Sequence, residues 1–304
     1  MNKIGWGLTL LLAQAVPLCA QVSVEVTQEQ SQFLAGEPLQ VAVRITNRSG
    51  QPLHLGAEGD WLTFSIGSKD GLVVTKNSDA PLAGEFVLES SKVAIKRVDL
   101  APYFALNQPG RYDVTATVYI SDWKRELTSA PKAFDLIEGV KLWEQDVGVP
   151  NSGGGNAAPE VRRYTLQQTT YLRGQMRLYL RVTDSSGTAR KVFAVGPMVS
   201  FSHPETQVDK FSNLHLLYQD GPRSFLYTVC DINGDVTTRQ TYDYVDSRPR
   251  LRVNEAGGIV VLGGVRRVAA NDVPPPKDDD TFSRPPTTAP AATNQSVVNK
   301  ASKR

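Results

Sequence analysis

The sequence contains very little cysteine: Cys19 and Cys230 are the only two in 304 residues. We expect Cys19 to be removed with the N-terminal segment, which leaves Cys230 alone and excludes an intramolecular disulfide. Cys230 lies in the apolar run Phe225–Ile232, so a buried, inert thiol is the favoured interpretation. A nucleophilic thiol or pairing with another molecule are the alternatives. The stability of the chain is therefore expected to come from a packed core.

An excess of either charge is also missing, since Lys and Arg number 33 and Asp and Glu number 31. Nucleic-acid-binding proteins present a basic face, so the balance argues against a nucleic-acid partner. The three histidines, His54, His203 and His215, do not occur at metal-ligand spacing. His215 alternates with Leu214 and Leu216, which favours a solvent-side position on a strand over a catalytic base.

Long apolar runs are absent except for a short one, Ile4–Leu12, near the N-terminus. This run is followed by Ala20 and then by an alternating pattern, the order that is typical of a secretory signal peptide. We therefore expect residues 1–20 to be a signal peptide that is cleaved after Ala20. An uncleaved anchor and lipidation at Cys19 are the alternatives, although a lipobox needs a small residue where Leu18 stands. The mature chain is predicted to be secreted or periplasmic, with no transmembrane segment after the signal peptide.

No catalytic or cofactor motif stands out, so we predict neither catalytic residues nor a cofactor. The Gly-rich segments 153–155 and 257–258 lack the strand-to-helix context of a phosphate loop. Three oxygen ligands, from Asp231, Asn233 and Asp235, stand at alternate positions, as they do in calcium loops. Asn233-Gly234 is also a strong signal for a hairpin turn, and the hairpin is the favoured interpretation.

The hydrophobic pattern predicts an all-β protein. From residue 21 to about 138 the period is two, as in Leu39–Thr46, and polar turns such as Asn47–Gly50 separate the runs. Ser68–Gly71 is a hairpin signal before an expected strand at Leu72–Val74. The eight or nine short strands counted in this way are typical of a β-sandwich.

One motif in this region is more specific. Tyr112 follows the segment Leu106–Arg111 and begins an alternating run. The motif resembles the tyrosine corner of immunoglobulin-like and fibronectin-type sandwiches, in which the tyrosine hydroxyl bonds back to nearby backbone. The resemblance implies this structural role for Tyr112 and an immunoglobulin-like β-sandwich over residues 21–138, without the cysteine pair of a true immunoglobulin domain. It implies a fold and no activity.

The second half contains an internal repeat. Tyr179–Gly187 and Tyr227–Gly234 are alike, and in each an aspartate stands three residues before the final glycine. We place the units at about 174–218 and 227–264, with a partial copy upstream. Their pattern resembles the blades of secreted β-propellers such as the sialidase-like ones.

Two units are fewer than a closed propeller contains. An incomplete propeller, a second sandwich and an assembly of several chains therefore remain open. We predict a β domain with blade-like antiparallel meanders at 139–270. The proline-rich, polar residues 271–304 are predicted to be a disordered tail.

Aromatic and arginine side chains supply the candidates for a ligand site. The rings of Trp143, Tyr242 and Tyr244 are of the kind that stacks on a sugar, and Arg248 and Arg250 carry charge that suits an acidic glycan. Core packing explains the aromatic residues equally well, and a solvated strand face explains the charges.

The segments Lys141–Gln145 and Asp246–Pro249 look like segments of uncharacterised secreted bacterial proteins. Those proteins pair an immunoglobulin-like sandwich with a repeat-bearing β domain, and the resemblance implies no activity. Our first hypothesis is a non-enzymatic binding or scaffold protein of the cell envelope, with a protein or glycan partner. The alternatives are a carbohydrate-binding or carbohydrate-active propeller-like protein, and an inhibitor or adaptor of an envelope enzyme that acts through the edge of the sandwich.

Overall fold

The structure, a computed structural model, describes residues 22–82, 84–149, 160–170 and 174–275. The predicted signal peptide lies outside these residues, and so do positions 276–304 of the predicted tail. The all-β prediction is confirmed, because the described residues form 21 strands and only two single-turn 3-10 helices, at Ala101–Tyr103 and Ser121–Trp123.

The chain divides into two compact units. The first unit extends to Ser202 and also includes Lys210–Ser212 and Ile232–Asp235, and the second contains the remaining residues from His203 onward. The predicted domain boundary near Gly139 differs from this division, because the sheet that follows Gly139 belongs to the first unit.

The region that was predicted to contain eight or nine short strands contains ten. They are β1 (Val22–Gln28), β2 (Gln32–Leu34), β3 (Gln40–Asn47), β4 (Leu53–Leu55), β5 (Leu62–Ser68), β6 (Phe86–Leu88), β7 (Val93–Asp99), β8 (Gly110–Ile120), β9 (Arg125–Thr128) and β10 (Lys132–Ile137). Sheet 1 has the order β1-β3-β7, and sheet 2 has the order β2-β10-β8-β5, with β9 also paired to β8. A small ribbon, sheet 3, joins β4 to β6. All of these pairs are antiparallel except β2 with β10.

Sheets 1 and 2 contribute to one hydrophobic core. The alternating residues of β3 and β8 turn their apolar side chains into it, since successive side chains of a strand point to opposite faces. Val43 and Val114 are both fully buried there. Tyr112 lies at the start of β8, where its hydroxyl donates to the Gln108 carbonyl at 2.7 Å, and its ring stacks on Phe134.

The expected strand at Leu72–Val74 is absent from the structure, and the Val73 side chain there is 90% exposed. The turn before it is hydrogen-bonded to β8 instead, since the Asp70 carboxylate accepts a hydrogen bond from the Arg111 amide at 2.7 Å. The chain therefore leaves the sheet at this turn and does not fold back along β5.

The next four strands form sheet 4, an antiparallel meander in the order β11-β12-β13-β14. They are β11 (Val140–Gly148), β12 (Val161–Thr170), β13 (Met176–Asp184) and β14 (Ala189–Met198). Leu34 of sheet 2 packs with Tyr179 and Val192 of sheet 4, and the Arg181 guanidinium donates to the Ala35 carbonyl. These contacts explain why sheet 4 belongs to the first unit.

The second unit contains the last two sheets. Its strands are β15 (Glu205–Val208), β16 (Leu214–Gln219), β17 (Ser224–Cys230), β18 (Val236–Asp243), β19 (Arg250–Val253), β20 (Ile259–Leu262) and β21 (Val265–Arg267). Sheet 5 has the order β15-β16-β17-β18-β21, and sheet 6 is the β19–β20 hairpin. Leu251 of the hairpin packs with Leu217, Phe225 and Tyr227 of sheet 5. The single described cysteine, Cys230, is fully buried at the end of β17.

The predicted repeat coincides with the structure over only part of its length. Asp184–Gly187 and Asp231–Gly234 both follow the third strand of a meander, in sheets 4 and 5 respectively. The meanders begin at β11 and β15, however, whereas the predicted units begin at residues 174 and 227. Each predicted unit, 174–218 or 227–264, therefore contains strands of two different sheets. The last strands of the two predicted units also differ, because β16 lies within sheet 5 and β20 belongs to a separate two-stranded sheet.

The described chain also continues beyond the predicted start of the tail at residue 271. Asp272 is 6% exposed and accepts a hydrogen bond from the Arg266 guanidinium at 2.6 Å. Val273 exchanges backbone hydrogen bonds with Arg239 of β18. These contacts hold residues 272 and 273 against the edge of sheet 5.

Candidate functional site

The residues considered as calcium ligands form the turn between β17 and β18. Gly234 takes a positive φ of 82° in this turn, as the hairpin interpretation requires. The Asp235 carboxylate pairs with the Lys191 ammonium at 2.6 Å. Within the described residues, no three His, Cys, Asp or Glu side chains come together as metal ligands would. Asp231 precedes this turn and Asn233 lies in it.

The aromatic ligand candidates are divided between the two units. Trp143 lies half-buried on β11 in the first unit, whereas Tyr242 and Tyr244 belong to the second unit. The Tyr242 ring contacts the Tyr227 ring edge-on and lies beneath the Arg266 guanidinium. One face of the Tyr242 ring is therefore occupied by a protein contact.

The two arginine candidates lie at the start of the β19–β20 hairpin. The Arg248 guanidinium is 5.2 Å from the centre of the Phe225 ring. Arg250 pairs with Glu205 at 2.8 Å, and the other oxygen of that carboxylate accepts the Leu251 amide at 2.9 Å. Glu205 thus attaches the hairpin to β15, and Arg250 has a structural partner as well as an exposed surface.

A buried polar chain that the sequence did not reveal joins Asp209, His215 and Tyr227. The Nδ1 atom of His215 is 2.7 Å from the Tyr227 hydroxyl, and its Nε2 atom is 3.3 Å from the Asp209 carboxylate. A carboxylate only accepts hydrogen bonds, so Nε2 donates to Asp209, and the Tyr227 hydroxyl bonds to Nδ1 on the other side of the ring. His215 is 8% exposed, which makes the expected solvent-side position wrong.

Alkaline pH is expected to destabilise the protein through Tyr227. Burial, followed by the neighbouring Tyr242 and Asp209, raises the pKa of Tyr227 to about 12, against about 10 in an unfolded chain. Between these values the folded state binds more protons, so the free energy of unfolding falls as the pH rises from about 10 towards 12. For Tyr227→Phe this fall is expected to be smaller than for the wild type.

Urea denaturation at pH 8 and at about pH 11, where about half of the difference should have developed, measures this effect. The control is Tyr244→Phe, because Tyr244 is 41% exposed. Equal losses of stability in the two variants would refute the role of Tyr227.

The second feature that the sequence did not reveal is the open edge of β7. Among the described residues, β7 pairs only with β3. The Asn47 amide bonds to the Lys92 carbonyl at one end of this ladder, and the Leu100 amide bonds to the Leu39 carbonyl at the other, both at 3.0 Å. Bonded pairs alternate with non-bonded pairs in an antiparallel ladder whose register is unbroken.

This alternation fixes which backbone groups of β7 face outward. Ala94, Lys96 and Val98 bond to β3, and the N–H and C=O groups of Val93, Ile95 and Arg97 point away from it. The side chains of those three outward residues lie on the solvent face of sheet 1, where Val93 is 42% and Ile95 is 55% exposed. The β7 edge, defined as Val93, Ile95 and Arg97, therefore combines free backbone groups with aliphatic side chains.

The corresponding faces of two other edge strands are polar. The solvent-face side chains of β1 and β5 are Ser23, Glu25, Thr27, Thr63, Ser65 and Gly67. An exposed strand edge with aliphatic side chains is the kind that pairs with another chain, so β7 stands out from β1 and β5.

Basic residues border the β7 edge. Arg44 lies beside Ile95 and Arg97 lies beside Ala42 in the register of sheet 1. A shallow pocket next to the edge is lined by Arg97, Ala42 and Thr27, among others. The small side chains in this row leave room for a partner side chain. Arg44 stands opposite Glu25 of β1, whereas Arg97 stands opposite Ala42 and favours an acidic partner side chain.

The chain matches no family model, no curated protein and no solved structure. In the part of the chain that the structure describes, neither single-turn helix has the length or hydrophobicity needed to cross a bilayer.

Proposed function

We propose that the chain is a non-enzymatic binding protein of the cell envelope, and that its first unit captures an extended segment of a protein partner by strand addition to the β7 edge. The observation that carries this proposal is the outward orientation of the Val93, Ile95 and Arg97 backbone groups together with the exposure of the two aliphatic side chains.

Strand addition uses the chemistry of the β7 edge directly. The backbone groups of a partner strand replace water on the free N–H and C=O groups, and its alternate side chains give specificity. Val93 and Ile95 favour aliphatic residues at every second position of the partner. Arg97 favours an acidic residue nearby, and Lys96 on the opposite face discourages uncontrolled self-pairing.

An immunoglobulin-like fold for the first unit supports the proposal. In that fold one sheet contains strands A, B, E and D and the other contains C, F and G. The orders β1-β3-β7 and β5-β8-β10 correspond to A-B-E and C-F-G, and Tyr112 bonds back to Gln108 at the start of the strand that corresponds to F. The position of strand D next to β7 is open, because β6 pairs with β4 instead.

The other expectations remain proposals on separate grounds. The order of residues 1–20 supports export to the periplasm or the outside of the cell. The two four-stranded meanders, β11–β14 and β15–β18, support a blade-like arrangement of the kind that β-propellers contain. The resemblance to secreted bacterial proteins with this pair of domains is compatible with a binding role.

Hydrogen exchange tests the proposed function. The full chain is immobilised, and the protein that it retains from an envelope extract of the source organism is purified and added back. The amides of Val93, Ile95 and Arg97 are expected to exchange quickly in the free chain and to become protected in the complex. Amides on the free edge of β1, at Val24 and Val26, are the control and should not change.

A complex that protects another surface and leaves β7 unchanged would overturn the assignment of the site. Failure to retain any protein would count against the binding function itself.

A further inference from the structure

A cavity in the first unit is lined by residues of sheet 2 and of the connection between β7 and β8. Its volume is about 70 Å³, and it is partly open to solvent. One water needs about 10–15 Å³ of such space, so the cavity has room for several water-sized groups in a row. Its walls include five buried hydrophobic side chains, those of Phe33, Leu39, Phe104, Leu106 and Phe134.

One acidic residue, Glu37, also lines this cavity. Glu37 is 8% exposed and ends the tight turn that follows β2, where its amide donates to the Leu34 carbonyl at 2.9 Å. Gly36 allows this turn because its φ is 83°, a value that glycine adopts at little cost. The turn returns the Glu37 side chain to β2, so that one carboxylate oxygen accepts the Leu34 amide at 2.9 Å and the other accepts the Gln30 side-chain amide at 3.0 Å.

The negative charge of Glu37 is only partly compensated. Within the described residues Glu37 forms no ion pair, although the charge of Arg177 acts on it from β13. Burial raises the pKa of Glu37, and the hydrogen bonds from Gln30 and Leu34 oppose this rise only in part. A carboxylate offers about four lone-pair sites, so the two hydrogen bonds leave room for another donor. A buried carboxylate of this kind is stabilised best by a paired cation.

We propose that this cavity binds a primary alkylammonium group, with the ammonium at the Glu37 carboxylate and the methylene chain against the apolar walls. An ammonium group is compact and carries three donors on a flexible stem, so it suits a narrow cavity. The volume fits a chain of about four carbons. A free alkylamine and the side chain of a lysine present the same chemistry at this site.

Titration of the full chain with n-butylammonium chloride, followed by the amide signals in NMR spectra, tests the proposal. For a ligand of this size we expect a Kd on the order of 1 mM, with the largest shifts at Leu34, Glu37 and Leu106. 1-Butanol supplies the chain without the charge, and ammonium chloride supplies the charge without the chain. Each is expected to bind at least about tenfold more weakly.

Glu37→Gln removes the charge and keeps the shape of the side chain and an acceptor for the Leu34 amide. This variant is expected to bind butylammonium about tenfold more weakly than the wild type and to lose its preference for butylammonium over 1-butanol. Glu126→Gln, which changes an exposed glutamate of β9, is the matched control and should bind as the wild type does.

Nα-acetyl-lysine N-methylamide distinguishes the two sources of the ligand. Affinity equal to that of butylammonium would indicate that the cavity admits a lysine side chain whose backbone stays outside. Binding of butylammonium alone would indicate a free amine.

Three results would overturn the proposal. They are equal responses to butylammonium and 1-butanol, unchanged binding by folded Glu37→Gln, and shifts that lie away from the cavity. The first and third are measured on the wild type, so they decide the matter even if Glu37→Gln does not fold. None of Val93, Ile95 and Arg97 lines the cavity, so this proposal and the proposed function fail independently.

Discussion

Ile95→Pro is expected to weaken binding of the partner strand by about a hundredfold while the first unit remains folded. The Ile95 amide points away from β3, so proline at this position removes no bond of the existing ladder, and proline is tolerated where the amide of an edge strand faces solvent. It removes the central donor of the β7 edge, and its ring obstructs the approach of another strand. The loss corresponds to about 3 kcal/mol, one ladder bond plus the disturbed packing around it.

Two neighbouring variants separate the backbone from the side chain. Ile95→Thr keeps the outward amide and a β-branched side chain, so it should weaken binding only about tenfold or less. Lys96→Pro removes an amide that bonds to β3 and should destabilise the protein itself. Titration calorimetry with the retained partner gives the affinities, and urea denaturation gives the stabilities. Normal binding by Ile95→Pro would show that the partner does not add a strand to β7.

The strand β7 itself was predictable, but its open edge was not. The alternation around Val93 and Ile95 indicates a strand and shows which residues share a face. Whether an edge is open depends on which strands pair, and that is decided by segments distant in sequence. β6 precedes β7 in the chain yet pairs with β4, and no local signal in Phe86–Leu88 indicates this choice.

His215 shows how the same alternation misleads in a strand that is buried on both faces. All six residues of β16 are buried, although polar His215 alternates with Leu214 and Leu216. The side chain of His215 is accommodated because Asp209 and Tyr227 satisfy both ring nitrogens. Tyr227 lies on β17 and Asp209 lies in the β15–β16 connection. The burial of His215 therefore depends on tertiary structure and cannot be read from the alternation within β16.

The repeat illustrates a third limit. The turns at Asp184–Gly187 and Asp231–Gly234 could be recognised because the geometry of a tight turn restricts its residues, and both glycines take a positive φ. The apolar strands on either side carry no comparable signature, since many aliphatic sequences suit a buried strand. The two turns therefore correspond in the structure, whereas β16 and β20, the last strands of the two predicted units, belong to different sheets.

Asn47→Ala is expected to lower the free energy of unfolding by about 3 kcal/mol, the largest single-residue effect on stability that we predict. The Asn47 side chain is completely buried at the end of β3. Its amide nitrogen donates to the Gln51 and Leu88 carbonyls at 2.7 and 2.8 Å, and its oxygen accepts from the Ser49 amide at 2.9 Å. Alanine removes this partner from the buried Leu88 carbonyl and from the partly buried Gln51 carbonyl and Ser49 amide.

The matched control is Ser49→Ala, which removes one hydroxyl of the same network and should cost less than about 1 kcal/mol. Urea denaturation of the two variants distinguishes a buried polar centre from an ordinary turn, and comparable small losses in both would refute the central role of Asn47.

The result also bears on the β7 edge. The bond from Asn47 to the Leu88 carbonyl holds the end of β6 beside the end of β3, and the Asn47 backbone bonds to Ser91 and Lys92 just before β7. Asn47 therefore positions both the end of β6, which pairs with β4, and the start of β7, whose outer edge is open. Asn47→Ala should for this reason weaken partner binding as well as lower the free energy of unfolding.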